Sequence, residues 1–393
     1  MDKEKIWTKG FTTITVSHAA YVLGSYMLIP TIPLYLVSLG ATESQVGMIA
    51  TAFFVASIVT RLFLNVLLKR TGRKRVLMAG MLLTAIAMLL YGLLASIVAN
   101  AALRFIGGVG FGITTTIATA MAADFLPDSR RGQGIGYFTM GYVVAMTAAP
   151  ALAIFLREKY GFPPVFYIAS GFALLAAILL IFAEEPPPVG KAPAGTAEHK
   201  ESSFQWRNLF DSKLIVASCI LLLFSISRSG DSSYIALFAA ARNLNYLSLY
   251  FVIQTVTMFF VRFVIGRIID RKGRNWVLIP GGFAMLALCV TLSFTYSDPL
   301  LLVGAFFSGL AVGVISPSMQ VWMFGVVAPE KRNVASATYY NFTDIGVSIG
   351  SLLMGFTAEN YGYTVMYRFG ACVALLYLLS YFIFGRERTR KSL

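Results

Sequence analysis

The chain alternates long apolar runs with short polar breaks. Twelve runs reach about the 20 residues that a bilayer-crossing helix needs. They lie near 11–39, 44–68, 76–96, 99–125, 133–156, 163–183, 213–240, 245–268, 276–296, 299–327, 334–358 and 363–384. Asp298-Pro299 and Phe162-Pro163-Pro164 are turn signals between runs. The first run far exceeds the apolar core of about 7–15 residues in a cleaved secretion signal and lacks a small-x-small exit, so it is read as the first span. The longest break, 184–211, is polar and Pro-rich. The pattern predicts an all-α polytopic membrane protein with spans in 1–183, a linker at 184–211 and spans in 212–393.

Composition agrees: 57% of residues are hydrophobic, 13% are charged and mean hydropathy is +0.73. A soluble chain carries about 25% charged residues, so a water-soluble enzyme is excluded. The net charge of +14 would suggest nucleic acid in a soluble protein; here its placement matters more. If the N-terminus is cytoplasmic, 24 Lys and Arg fall in cytoplasmic segments, and only Arg157, Lys159 and Arg242 fall in outer ones. That asymmetry predicts both termini in the cytoplasm, and the plasma (cell inner) membrane is the expected location. The three cysteines, Cys219, Cys289 and Cys372, all fall within spans, which points to packing and not to a disulfide framework.

The two halves repeat. Arg61, Arg70, Gly72 and Arg73 recur as Arg262, Arg271, Gly273 and Arg274 at one offset of about 200 residues. Pro127-Asp-Ser-Arg130 recurs as Pro329-Glu-Lys-Arg332. On these motifs the chain resembles the major facilitator superfamily along essentially its whole length. Gly266-Arg-Ile-Ile-Asp270-Arg271-Lys-Gly273-Arg274 matches that family's loop motif G-x-x-x-D-R-x-G-R; in the first-half copy Asn65 replaces the Gly and Lys69 the Asp. The resemblance implies twelve transmembrane helices in two pseudo-symmetric six-helix bundles. It also implies a cytoplasmic latch of Asp124 with Arg70, Gly72 and Arg73, and of Gly266, Asp270, Arg271, Gly273 and Arg274 in the second half. Arg104-Phe-Ile-Gly-Gly108 resembles the R-x-x-Q-G motif of proton-coupled members, with Gly107 in place of Gln. Gly141 to Pro150 resembles the antiporter motif G-x-x-x-G-P, with Ala149 for its Gly. The set is similar to drug/proton antiporters. Asp344-Ile-Gly-Val-Ser-Ile-Gly350 with Leu353-Met-Gly355 resembles exporters of opine-type metallophores such as staphylopine.

Charges inside the bilayer are costly, about 2.5–3.5 kcal/mol on insertion scales, so each needs a cavity or a partner. Arg228 and Asp231 stand three apart in one span, facing the same way, with Tyr234 on that face. They form either a self-neutralising packing pair or a substrate or proton site. Asn341, Asp344, Ser348 and Ser351 make one polar helix stripe, either an interhelical clamp or a cavity face on which burial would favour the neutral form of Asp344. Arg104 is read as a coupling residue or as a cap for a neighbouring helix. His18 is suited by its chemistry to proton relay, or is a satisfied structural histidine. Tyr21 and Tyr26 lie on the span of His18.

Substrate contacts are thus expected from Tyr21, Tyr26, Arg228, Asp231, Tyr234, Asn341 and Asp344, and proton coupling from Asp231, Asp344, Arg104 and His18. The expected function is secondary active transport: proton-coupled export of a small zwitterionic or amphipathic organic molecule by alternating access. Opine-type metallophore export and proton-coupled nutrient uptake are the alternatives. A polytopic membrane enzyme is disfavoured, since no HExxH, Walker loop or paired His or Cys ligands occur and His18 and His199 are far apart. No cofactor, metal or nucleic acid is expected. The partners are the small substrate, protons and lipid, and the chain is expected to act as a monomer with the proton gradient as its energy source.

Overall fold

A computed structural model describes residues 6–127, 130–183, 212–327 and 332–385. The described residues are helical, without strands, and eleven helices are long and apolar enough to cross a membrane. They are α1 (Lys9–Ser38), α2 (Glu43–Thr71), α3 (Arg73–Tyr91), α4 (Ile97–Asp124), α5 (Arg131–Tyr160), α6 (Phe162–Ile181), α7 (Ile215–Ala241), α8 (Leu247–Lys272), α9 (Asn275–Ser293), α10 (Asp298–Gly325) and α11 (Arg332–Ser380). The linker 184–211, with His199, lies outside the described residues, as do Pro329 to Lys331 of the second repeated motif.

Local chemistry sets the helix ends. Thr8 caps α1 by accepting from the Phe11 amide at 3.2 Å. Thr42 and Gln45 cap α2 reciprocally, the Thr42 amide donating to Gln45 Oε1 at 3.0 Å and the Gln45 amide to Thr42 Oγ1 at 3.3 Å. Pro163 and Pro299 sit in the first turns of α6 and α10, where their missing N–H costs nothing. Side chains such as Phe63, Val98 and Phe260 are well exposed along the helices, as a lipid-facing surface requires.

The repeat seen in the sequence is written into the backbone. Gly72 and Gly273 hold φ of +81° and +82°, and Gly273 lies 201 positions after Gly72. Gly161 and Gly362, the same 201 positions apart, both hold φ of +81°. Gly161 separates α5 from α6; Gly362 interrupts α11 with a non-helical conformation. The final two apolar runs therefore appear as one 49-residue helix broken at Gly362, and not as two separated helices.

The chain forms two compact units. One comprises Met1–Leu39 with Ala52–Ser203, the other Gly40–Thr51 with Phe204–Leu393. In the first, α1 packs on α5 and α6, and α3 on α4 and α6. In the second, α7 packs on α11, and α9 on α10 and α11. The first residues of α2 thus group with the second unit, a boundary that hydropathy could not indicate. Cys219, Cys289 and Cys372 are unpaired.

Candidate functional site

In the second unit the polar centre is Asp231 on α7, 3% exposed. Tyr250 donates to its Oδ1. Ser308 Oγ and Gln254 Nε2 donate to Oδ2 at 2.6 and 3.2 Å. Gln254 also donates to Ser308 Oγ at 2.5 Å. One carboxylate thereby ties α7 to α8 and α10. Of the two alternatives for Arg228 and Asp231, the direct packing pair is not seen: the hydrogen bonds of Asp231 go to neutral groups, and the buried Nε of Arg228 has no hydrogen-bond partner. The reason is geometric, since neighbouring helices deliver three donors to the carboxylate. Arg228 acts on Asp231 through its field, and with Arg262 acts in the same way on the Tyr339 phenol. Tyr250, Gln254 and Ser308 were missed in the sequence, although Tyr250 and Gln254 stand four apart on one face of α8.

The polar stripe on α11 splits by role. Ser351 shares a 3.1 Å hydroxyl contact with Ser233 of α7. The Ser348 hydroxyl donates to the carbonyl of Asp344 at 2.7 Å. Asn341 Oδ1 is buried without a partner, and Asp344 is 7% exposed. Tyr234 is fully buried, and its phenol donates to the Ser351 carbonyl at 2.8 Å and the Glu43 carbonyl at 3.2 Å. The tyrosine fastens the start of α2 to α11. Gly346 and Gly350 bring the α11 backbone against α7, where a Cβ would overlap Ser225 or Ser229.

In the first unit, the ring of His18 stacks on Phe138 and Tyr142 with centroids at 4.8 and 5.8 Å. Neither of its nitrogens has a hydrogen-bond partner, so the satisfied structural histidine is not observed. The Tyr21 phenol meets Thr84 Oγ1 at 3.0 Å, and those of Tyr26 and Tyr142 meet at 2.6 Å. Arg104 of α4 is 8% exposed, with its guanidinium 4.5 Å from the centre of the Phe53 ring and close to the Tyr91 phenol.

The two repeated loops differ. Arg73 pairs directly with Asp124 at the end of α4. Arg274 lies over Trp322 at 4.3 Å and donates to the Gly385 carbonyl at 3.2 Å. The side chains of Arg70 and Asp270 lie outside the described residues. Around Gly266 the structure is open, and Arg271 is an exposed residue of the last turn of α8.

The family model of the Major Facilitator Superfamily matches residues 14–291 and 245–393. An uncharacterized MFS-type transporter, MJ1560, of Methanocaldococcus jannaschii is 24% identical over 94% of this chain and 95% of its own length. The multidrug resistance protein MdtG of Serratia proteamaculans is 26% identical over 93% of this chain and 91% of its own. Among solved structures, a bacterial homologue of the human lysosomal transporter Spinster, inward-facing and occupied, superposes with a TM-score of 0.77 at 15% identity, covering 97% of this chain and 98% of that one.

Proposed function

The chain belongs to the Major Facilitator Superfamily and is a multi-pass membrane transporter, not an enzyme; from that premise we propose that it exports a small zwitterionic or amphipathic organic molecule in exchange for protons. In this reading twelve spans form two six-helix bundles, 1–183 and 212–393, joined by a cytoplasmic linker, in the plasma membrane with both termini cytoplasmic. The matched glycines Gly161 and Gly362 support the count, because each ends a helix with the same backbone turn. The multidrug-resistance relatives support efflux.

The observation that carries proton coupling is the hydrogen-bond set of Asp231. An ionised carboxylate accepts from Tyr250, Ser308 and Gln254 together. A neutral carboxylic acid must donate through one oxygen, and the Gln254 amide nitrogen cannot accept. Protonation therefore breaks or turns a bond between α7 and α8 or α10. A proton arriving from one side of the membrane thus becomes a change in helix packing. Asp344 is the second candidate acid. Arg228 supplies fixed positive charge beside Asp231 and a contact for an anionic group of the substrate. Asn341, Tyr21 and Tyr26 remain candidate contacts; Tyr234 serves first as a packing anchor, and His18 packs as a ring.

The test is dye transport in proteoliposomes with an imposed pH gradient. An acidic lumen, from which protons flow outward, is expected to drive accumulation of amphipathic dyes in the lumen against their own gradient. Asp231→Asn and Asp344→Asn are expected to abolish driven accumulation while sparing exchange at equal pH. A gradient that drives nothing, with both variants behaving like the parent, overturns the reading.

A further inference from the structure

We propose that Arg104, Ser25 and Gly107 form a subsite for a small monovalent anion inside the first unit, taking either the carboxylate of an organic molecule or a halide. Four observations converge. Arg104 is buried and permanently charged, yet the groups acting on it come down to the Tyr91 phenol and the Phe53 ring, with no carboxylate among them. Its Nε has no hydrogen-bond partner. The Ser25 hydroxyl, near Tyr21, is buried and also makes no hydrogen bond of normal geometry. Both groups line one small cavity, together with Phe53, Tyr91 and Gly107.

A guanidinium held out of water without an opposite charge is unfavourable, because the neutral Tyr91 phenol and the Phe53 ring replace only part of its lost hydration. The Phe53 face offsets part of that cost, since the ring's electron-rich face attracts a desolvated cation. An anion in the cavity supplies the rest, accepting from Arg104 Nε–H and the Ser25 hydroxyl. Gly107 makes the room. A Cβ there would meet only Phe53, at 3.9 Å. A long side chain at this position would fill the space beside Arg104; the glycine leaves that space to a ligand group. The cavity is small, so it takes one group of a molecule or a single ion.

The full chain in lipid nanodiscs tests this by thermal unfolding. Sodium chloride, acetate and benzoate are titrated at fixed ionic strength against a bulky sulfonate. At least one of the three is expected to raise Tm along a saturating curve, as mass action requires. Gly107→Gln fills the space and is expected to weaken that anion at least about tenfold, the loss of one charge-assisted contact. Gly171→Ala, on an open face of α6, leaves the curve unchanged. Saturation by chloride alone identifies a resident halide; saturation by acetate or benzoate identifies a carboxylate subsite. Either supports the proposal. The absence of any saturating shift in the parent, or an unchanged curve in Gly107→Gln, overturns it. The readout is binding, so failure of the Asp231 and Asp344 transport variants to behave as expected leaves this result standing.

Discussion

At the residue scale, the acid on α7 was legible because a lone Asp inside an apolar run is conspicuous. Its partners were not. Tyr250, Gln254 and Ser308 reach it from two other helices, and nothing in the spacing of one helix says which neighbour faces it. The opposite charge three residues away, Arg228, is instead left without a hydrogen bond at Nε. This makes the hydrogen-bond set measurable as a unit. Asp231→Asn replaces an acceptor oxygen by a donor facing Ser308 and Gln254, and should destabilise the chain by about 1–3 kcal/mol. Tyr250→Phe removes one donor and should cost about 1 kcal/mol. Because both act on one carboxylate, the double variant should depart from the sum by at least about 0.5 kcal/mol. Denaturation of the four chains in one detergent gives the cycle, and strict additivity would show that the phenol and the carboxylate do not share a bond.

At the element scale, the helices followed from hydropathy and the turns from glycine. Gly72 and Gly273 were visible as a sequence repeat; Gly161 and Gly362 were not singled out, since a lone glycine beside an aromatic carries no signal until its φ is known. All four sit where an L side chain is strained. Gly72 and Gly362 have nothing within 4 Å of an added Cβ, so substitution there reports the backbone alone. Gly72→Ala and Gly362→Ala should each cost about 1–2 kcal/mol. Gly171→Ala, in the middle of α6 and equally open, should gain about 0.5–1 kcal/mol from helix propensity. The same substitution thus carries opposite signs, and thermal unfolding of the three variants checks it. Stabilisation at Gly362 would mean that α11 runs through that position as a continuous helix. The capping box of Thr42 and Gln45 was legible in principle from its S/T-x-x-E/Q form. The grouping of 40–51 with the second unit was not, because it depends on Tyr234 and on Glu359, which accepts from the Ser44 amide at 3.0 Å.

At the scale of the whole molecule, the break at Gly362 decides the parity of the spans. A helix of 49 residues would be about 70 Å long at 1.5 Å per residue, more than twice the hydrocarbon thickness of about 30 Å. It cannot cross once without leaving a full span outside the membrane, and the apolar residues on both sides of Gly362 leave no water-soluble half. Two crossings would make the proposed count twelve, and an even count would put both termini on one side. In the proposed topology the charge distribution selects which: the basic segments around the α2–α3 and α8–α9 turns, with Arg73 to Arg75 and Arg271 to Arg274, favour the cytoplasmic side. The sequence carried that vote through composition alone, whereas the turn that makes it consistent needed the backbone. A green fluorescent protein fused after Leu393 should therefore fluoresce in cells. Alkaline phosphatase inserted at Asn360 should be active on the outer side. A dark C-terminal fusion together with an inactive phosphatase at Asn360 would mean eleven crossings, and would remove the two-bundle reading along with the placement of the basic loops.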